Sequence, residues 1–245
     1  MAPKGTALLI HGAWQGSWVW AAHLAPLRAA GWEPVALDLP GNGADNRPPE
    51  TITFADHLAH ALSALHTTPG PTTLIAHSGG GVLATALAEA APERIAGILH
   101  VAGMRLPSGI TFAEFLTPFT AANPAAIGIG AHLHKLPHAT RVPEAAALRI
   151  FYHDCPPEPA RAAAARLTPQ PDGVRAPRVT HTPARAGRVP AAYIHCGRDR
   201  SVLPAVQDAM AEGLPTLRLD TGHAPMLAAP QALAEALTTL LDSFV

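Results

Sequence analysis

The chain has 245 residues, with 17 Lys+Arg against 18 Asp+Glu and a formal net charge of −1. That balance gives no electrostatic footprint for nucleic acid or for an acidic membrane surface, and 48% hydrophobic residues exclude a disordered chain. Only 14% of residues are charged, which fits a large buried core, and 26 prolines argue against a plain helical bundle.

Residues 7–10 form a short apolar run that stops at His11-Gly12. A helical pattern follows over 18–30 and stops at Gly31. A second run, 35–37, stops at Asp38-Leu39-Pro40-Gly41, and Thr53 is placed to cap a helix over 54–66. The third run, 73–76, stops at His77-Ser78-Gly79 and leads into an Ala/Leu-rich helix over 80–91, ahead of Pro92. The fourth, 95–101, stops at Ala102-Gly103. After a long gap, residues 191–194 lead to Cys196-Gly197, and a helix over 204–212 opens on a proline and closes at Gly213. Residues 217–219 stop at Asp220-Thr221-Gly222, and 230–244 form a last helix with Leu233, Leu237, Leu240 and Leu241 on one face. Six short apolar runs alternating with helices predict an α/β fold, a mostly parallel sheet flanked by helices on both faces.

The alternation breaks over 104–190. These 87 residues hold 13 of the prolines, 10 of the Lys+Arg and 5 of the acidic residues. They carry short helical pieces over 143–153 and 159–167 but no strong strand pattern. Removing them leaves a complete sheet protein. The expected organisation is a core of 1–103 and 191–245 with a mostly helical cap inserted at 104–190.

Cys155 and Cys196 form no CxxC pair, and free thiols are the expectation. The opening residues carry no charged-then-apolar leader, and no apolar run reaches 18 residues. The reading is a soluble, cytoplasmic chain with no nucleic-acid or membrane partner, and a homodimer is left open. Fourteen histidines invite a metal reading. His132, His134 and His138 lie close together, but no carboxylate or cysteine sits at matching spacing, so no metal is expected. His57 and His60 read as a solvated helix face, with His66 beyond.

The chemistry concentrates at Ala76-His77-Ser78-Gly79-Gly80, between a strand and a helix. Small-x-Ser-x-Gly in this setting is a nucleophile elbow, a turn tight enough to strain the serine and hold its hydroxyl above the sheet. A serine hydroxyl needs a base to take its proton, and that base needs an orienting acid. In this architecture acid and histidine follow the serine in that order. Asp199, on the loop after the 191–196 run, and His223, after the 217–219 run, fit. The backbone N–H groups of Gly79 and Ala13 are placed to hold an oxyanion. Gly12, Trp14, Phe112, Phe115, Phe119, Phe151 and Tyr152 are candidates for the substrate pocket.

His11-Gly12-Ala13-Trp14, Ala76-His77-Ser78-Gly79-Gly80 and Gly197-Arg198-Asp199 followed by Gly222-His223, in that order, resemble the α/β-hydrolase superfamily. Residues 9–20, 38–43 and 222–227 are similar to its methylesterase and hydroxynitrile-lyase branch. The resemblance implies an α/β-hydrolase fold, a Ser-His-Asp triad, no cofactor and a helical cap over an apolar pocket. Lyase members carry threonine directly after the first-strand histidine and lysine directly after the catalytic histidine. This chain has Gly12 and Ala224 there, which points to the esterase side. The expectation is therefore a serine carboxylic-ester hydrolase acting on a small to medium, largely apolar ester. The rivals are a hydroxynitrile lyase and a non-catalytic small-ligand-binding protein on the same fold.

Overall fold

The structure, a computed structural model, describes residues 3–244; positions 1, 2 and 245 of the expected core lie outside that range. Six strands build one sheet: β1 (Gly5–Ile10), β2 (Trp32–Ala36), β3 (Thr72–His77), β4 (Ile95–Val101), β8 (Ala191–Cys196) and β9 (Thr216–Leu219). Their order is β2-β1-β3-β4-β8-β9, and every neighbouring pair is parallel. Parallel strands need crossovers, which here are helices. α1 (Ala21–Ala29), α2 (Phe54–Thr67), α3 (Gly80–Ala90) and α7 (Pro204–Met210) make such crossovers, residues 104–190 join β4 to β8, and the short α8 (Pro225–Ala228) and α9 (Pro230–Leu241) follow the last strand. The fold is the α/β architecture expected from the alternating runs.

Successive strand residues serve opposite cores because side chains alternate across the pleat. Leu9, Ile75, Leu99 and Ile194 face Leu27 of α1 and Leu233 and Leu237 of α9. Leu8, Ile10 and Leu74 face Ala61 and Leu65 of α2 and Leu83 and Leu87 of α3. Both faces are dry, which is why the strands read as continuous apolar runs. Thr53 caps α2 as expected, with its hydroxyl taking the Asp56 N–H while Asp56 takes the Thr53 N–H at 2.8 Å.

Residues 104–190 contribute no strand to this sheet among the described residues. They hold α4 (Phe112–Ala122), α5 (Glu144–Ile150) and α6 (Pro157–Ala165). They also hold β5 (His134–Leu136), β6 (Ala139–Arg141) and β7 (Gln170–Pro171), a small antiparallel sheet that the sequence pattern did not announce. The reason is visible in β5, whose three residues are all exposed and carry no alternation to read. Its hairpin turns at His138, which takes φ 58°.

Sheet order reverses between β1 and β3, where the chain winds outward in opposite directions. Such a switch point leaves a crevice at the carboxyl ends of the strands, and both the His11–Trp14 stretch and Ser78 sit there. No helix among the described residues is long and apolar enough to cross a membrane. Cys155 and Cys196 are both free.

Candidate active site

Ser78 lies between β3 and α3 with φ 50°, a left-handed conformation that costs a non-glycine residue free energy. The surroundings enforce it. Val101 O accepts the Ser78 N–H at 3.2 Å, and Ser78 O accepts from Gly81 and Met104 at 3.0 and 2.8 Å. A Cβ on Gly80 would lie 2.8 Å from His11 O and 3.0 Å from Ile10 O, so this position admits no side chain. β1 and α3 can thus close on each other, and the serine is pushed up at the turn.

The structure brings Ser78, His223 and Asp199 together from three separate loops. His223 Nε2 is 3.1 Å from Ser78 Oγ, and His223 Nδ1 is 2.7 Å from Asp199 Oδ2. All three residues are buried. A carboxylate can only accept, so Nδ1 carries the proton donated to Asp199 and Nε2 presents its lone pair to the serine. Asp199 is itself fixed: Oδ1 accepts from Ser201 N and Val202 N at 2.7 and 2.9 Å, and Oδ2 also takes Gln207 Nε2 at 3.1 Å. Gln207, fully buried on α7, also bonds Cys196 and Val202 main-chain atoms. The sequence reading missed it. The signal was a glutamine beside Val206 and three residues before Met210, on the helix face that packs inward.

Asp220, nearer in sequence to His223, turns outward and pairs with Arg198 at 3.2 Å. His77 is completely buried in the elbow. Its Nε2 donates to His223 O at 2.8 Å, which leaves Nδ1 as a lone pair 2.9 Å from the Gln15 side-chain amide. Burial, with His223 alongside, holds the His77 ring well below the usual imidazole range, so it stays neutral. His11 ties the next loop. Leu39 N–H donates to its Nε2 at 3.2 Å, so Nδ1–H faces Gly12 O at 2.8 Å, and burial lowers its pKa to about 4.

Ala13 lies close to Gly79, the residue directly after the serine. A Cβ built on Gly79 would be 3.8 Å from Ala13 N. Among the described residues neither N–H meets an acceptor. Gly79 also caps α3, whose N-terminal dipole favours negative charge at this spot. Gly12 is packed close: a Cβ there would come within 3.0 Å of both Ser78 Cβ and His77 Nδ1.

Above these groups opens a cavity of about 530 Å³. Ser78, His223, Gly12, Ala13 and Gly79 form its floor, and Trp14, Leu39, Leu83, Leu106, Leu116, Ile129 and Leu133 are among its walls. Of the five aromatic candidates from 104–190, Phe112 and Phe151 line it. Phe151 also stacks on His223, with ring centroids 5.2 Å apart and planes 26° apart. Phe115 and Phe119 do not line it and pack against the cluster that holds Val206 and Met210, and Tyr152 is buried beside Phe151. Residues 112, 115, 116 and 119 share one broad helix face, with 112 and 116 at its cavity edge.

His57, read as solvated, is buried on the inner face of α2 and lines the same cavity, with Nε2 donating to Pro40 O at 2.9 Å. Its place in the stripe with Ala61 and Leu65 was the overlooked signal. His60 is half-buried and His66 is exposed. His132 stands beside Arg149, and no group of three or more His, Cys, Asp or Glu is placed to hold a metal ion among the described residues.

The alpha/beta hydrolase family profile matches residues 7–236. Methylesterase 7 of Arabidopsis thaliana is 28% identical over 251 residues, covering 97% of this chain and 96% of that protein. A pyrethroid hydrolase of Sphingobium wenxiniae is 26% identical over 256 residues, covering 96% and 87%. Among solved structures, polyneuridine aldehyde esterase superposes with a TM-score of 0.84 at 20% identity, over 98% of this chain and 99% of that one.

Proposed function

The chain belongs to the alpha/beta hydrolase family, and we propose that within it the protein is a serine carboxylic-ester hydrolase working through an acyl-enzyme. The observation that carries this reading is the unbroken hydrogen-bonded line Ser78–His223–Asp199, at 3.1 and 2.7 Å, on the floor of an apolar cavity. Ser78 Oγ attacks the ester carbonyl while His223 Nε2 takes its proton. Asp199 keeps Nδ1 protonated and stabilises the imidazolium. The N–H groups of Ala13 and Gly79 take the charge that develops on the carbonyl oxygen. His223 then protonates the leaving alcohol, and a water activated by the same imidazole releases the acid. No step needs a cofactor.

The apolar walls and a volume of about 530 Å³ suit a small to medium, largely uncharged ester. The methylesterase and pyrethroid-hydrolase names of the relatives support the same bond class. Gly12 and Ala224 favour hydrolysis over cyanohydrin cleavage, since residue 12 has no hydroxyl to offer a cyanohydrin and buried Ala224 has no charge for a departing cyanide. In this reading 1–103 and 191–245 are the catalytic core, and 104–190 is the cap that roofs the cavity.

Ser78→Ala is the test. It is expected to lower hydrolysis of a p-nitrophenyl short-chain ester by at least about 10³-fold while the circular dichroism spectrum is unchanged. Retained turnover would end the proposal.

A further inference from the structure

The two loops that carry the acid and the base are held by a third piece of chain. Residues 151–156 join α5 to α6, and two consecutive side chains in that joint reach both loops. His153 Nε2 donates to Arg198 O at 2.9 Å, one residue before Asp199. Asp154 Oδ2 accepts the Gly222 N–H at 2.6 Å, one residue before His223. The loops are also tied to each other, by Arg198 N–H to Thr221 O at 2.8 Å and by the Arg198 guanidinium to Asp220 O.

Asp154 is an expensive residue to place here. Its side chain is only 7% exposed. A buried carboxylate costs free energy unless its oxygens are paired. Oδ2 has Gly222 N–H, with the Arg198 guanidinium 3.7 Å away. Oδ1 has no hydrogen-bond partner among the described residues, and His153 Nδ1 stands 3.8 Å off. The approach is also sterically specified: a Cβ on Gly222 would lie 2.6 Å from Asp154 Oδ1 and 3.0 Å from His153 Nε2. Only glycine lets the carboxylate reach the main chain next to His223. Neither Asp154 nor Gly222 lines the cavity.

We infer that Asp154 is a positioning residue: it clamps the His223 loop against the Asp199 loop so that the imidazole is held between Ser78 and the acid. The inference rests on the serine-hydrolase reading for its kinetic consequence but not for its geometric one. Its currency is kcat, because the clamp touches neither the pocket nor the reacting atoms. The essential property is the acceptor oxygen. Asparagine at 154 keeps an oxygen for Gly222 N–H and turns its amide toward the lone pair of His153 Nδ1. Alanine keeps nothing, and leucine keeps the volume without the acceptor.

The experiment follows the downfield Nδ1–H proton resonance of His223 in histidine-labelled protein, assigned by its disappearance in His223→Ala, and measures ester kinetics on the same samples. Asp154→Asn is expected to keep the resonance and to stay within about threefold of wild-type kcat. Asp154→Ala and Asp154→Leu are expected to broaden or shift it and to lower kcat on the order of 10- to 100-fold, with KM within twofold. Should the alanine variant not fold, leucine carries the same test. A wild-type resonance in the alanine or leucine variant overturns the inference, as does an asparagine variant that loses it just as fully. If the wild-type protein turns over no ester, the hydrolase reading falls, and the resonance still decides on Asp154.

Discussion

Along the sheet, each chemically loaded residue sits within a few positions of the strand end that presents it: His11 after β1, Ser78 after β3, Asp199 after β8, His223 after β9. Residues 104–190 reach the same centre by contacts that span 68 to 156 positions of chain. Gln170 Oε1 accepts the Trp14 N–H at 2.7 Å, Thr168 N donates to Trp14 O at 2.9 Å, and Trp14 Nε1 donates to Thr140 O. Asp154 does the same for Gly222. Trp14 takes φ 63°, a strained conformation that those bonds hold in place directly beside Ala13. Strand ends present Ser78, Asp199 and His223, and residues 104–190 bond the loops that follow β1 and β9. Sequence shows the first arrangement far better than the second.

That contrast can be broken at points of decreasing leverage. On the sheet side, Asp199→Asn is expected to lower kcat on the order of 10³- to 10⁴-fold by favouring the wrong imidazole tautomer, with the fold intact. A drop below tenfold would mean that the His223–Asp199 bond is not what orients the base. On the 104–190 side, Gln170→Ala removes the acceptor of Trp14 N–H and is expected to lower kcat about 10-fold through the loop that carries Ala13. Steady-state kinetics showing only a KM change would place Gln170 in binding instead.

Within a single helix, α4, the comparison sharpens further. Phe112→Ala is expected to raise KM for an apolar ester about 5-fold with melting temperature little changed. Phe119→Ala is expected to cost about 1–2 kcal/mol of stability and to leave KM alone. Exchanged phenotypes would mean that Phe119, not Phe112, meets the substrate.

A further expectation concerns pH. Burial lowers His11 and His23 to about 4 and His100 to about 3. The unfolded chain protonates these rings near pH 6.5, whereas the folded chain refuses protons until well below. Their neutral burial is therefore accommodated in full above pH 6.5. Stability is lost as pH falls from there toward 4, by up to about 1.4 kcal/mol per pH unit for each ring. Thermal denaturation between pH 7 and 4.5 checks this, and a flat melting temperature would contradict it.

Most of the strand and helix pattern of the core was legible, because both faces of the sheet are dry and each run ends in a glycine turn. Ser78 was legible because the elbow needs small residues at fixed offsets, and Asp199 and His223 because strand ends are the only places from which they can reach it. What was not legible is polar and buried. Gln15, Gln207 and Asp154 look like ordinary surface residues until the tertiary fold buries them, and His57 was mistaken for one of a solvated set. Phe112 could not be told from Phe115 and Phe119, since the facing of a helix outside the regular alternation depends on neighbours far away in sequence. The antiparallel strands β5 to β7 were lost for want of length.

In the proposed mechanism Ser78 alone forms the covalent intermediate. The most direct test is intact and peptide mass spectrometry after treatment with a p-nitrophenyl alkylphosphonate. One adduct per chain is expected, on the peptide containing Ser78, with activity lost in step with labelling and no adduct on Ser78→Ala. An adduct at another residue, or an inhibited wild-type enzyme with Ser78 unmodified, would contradict it.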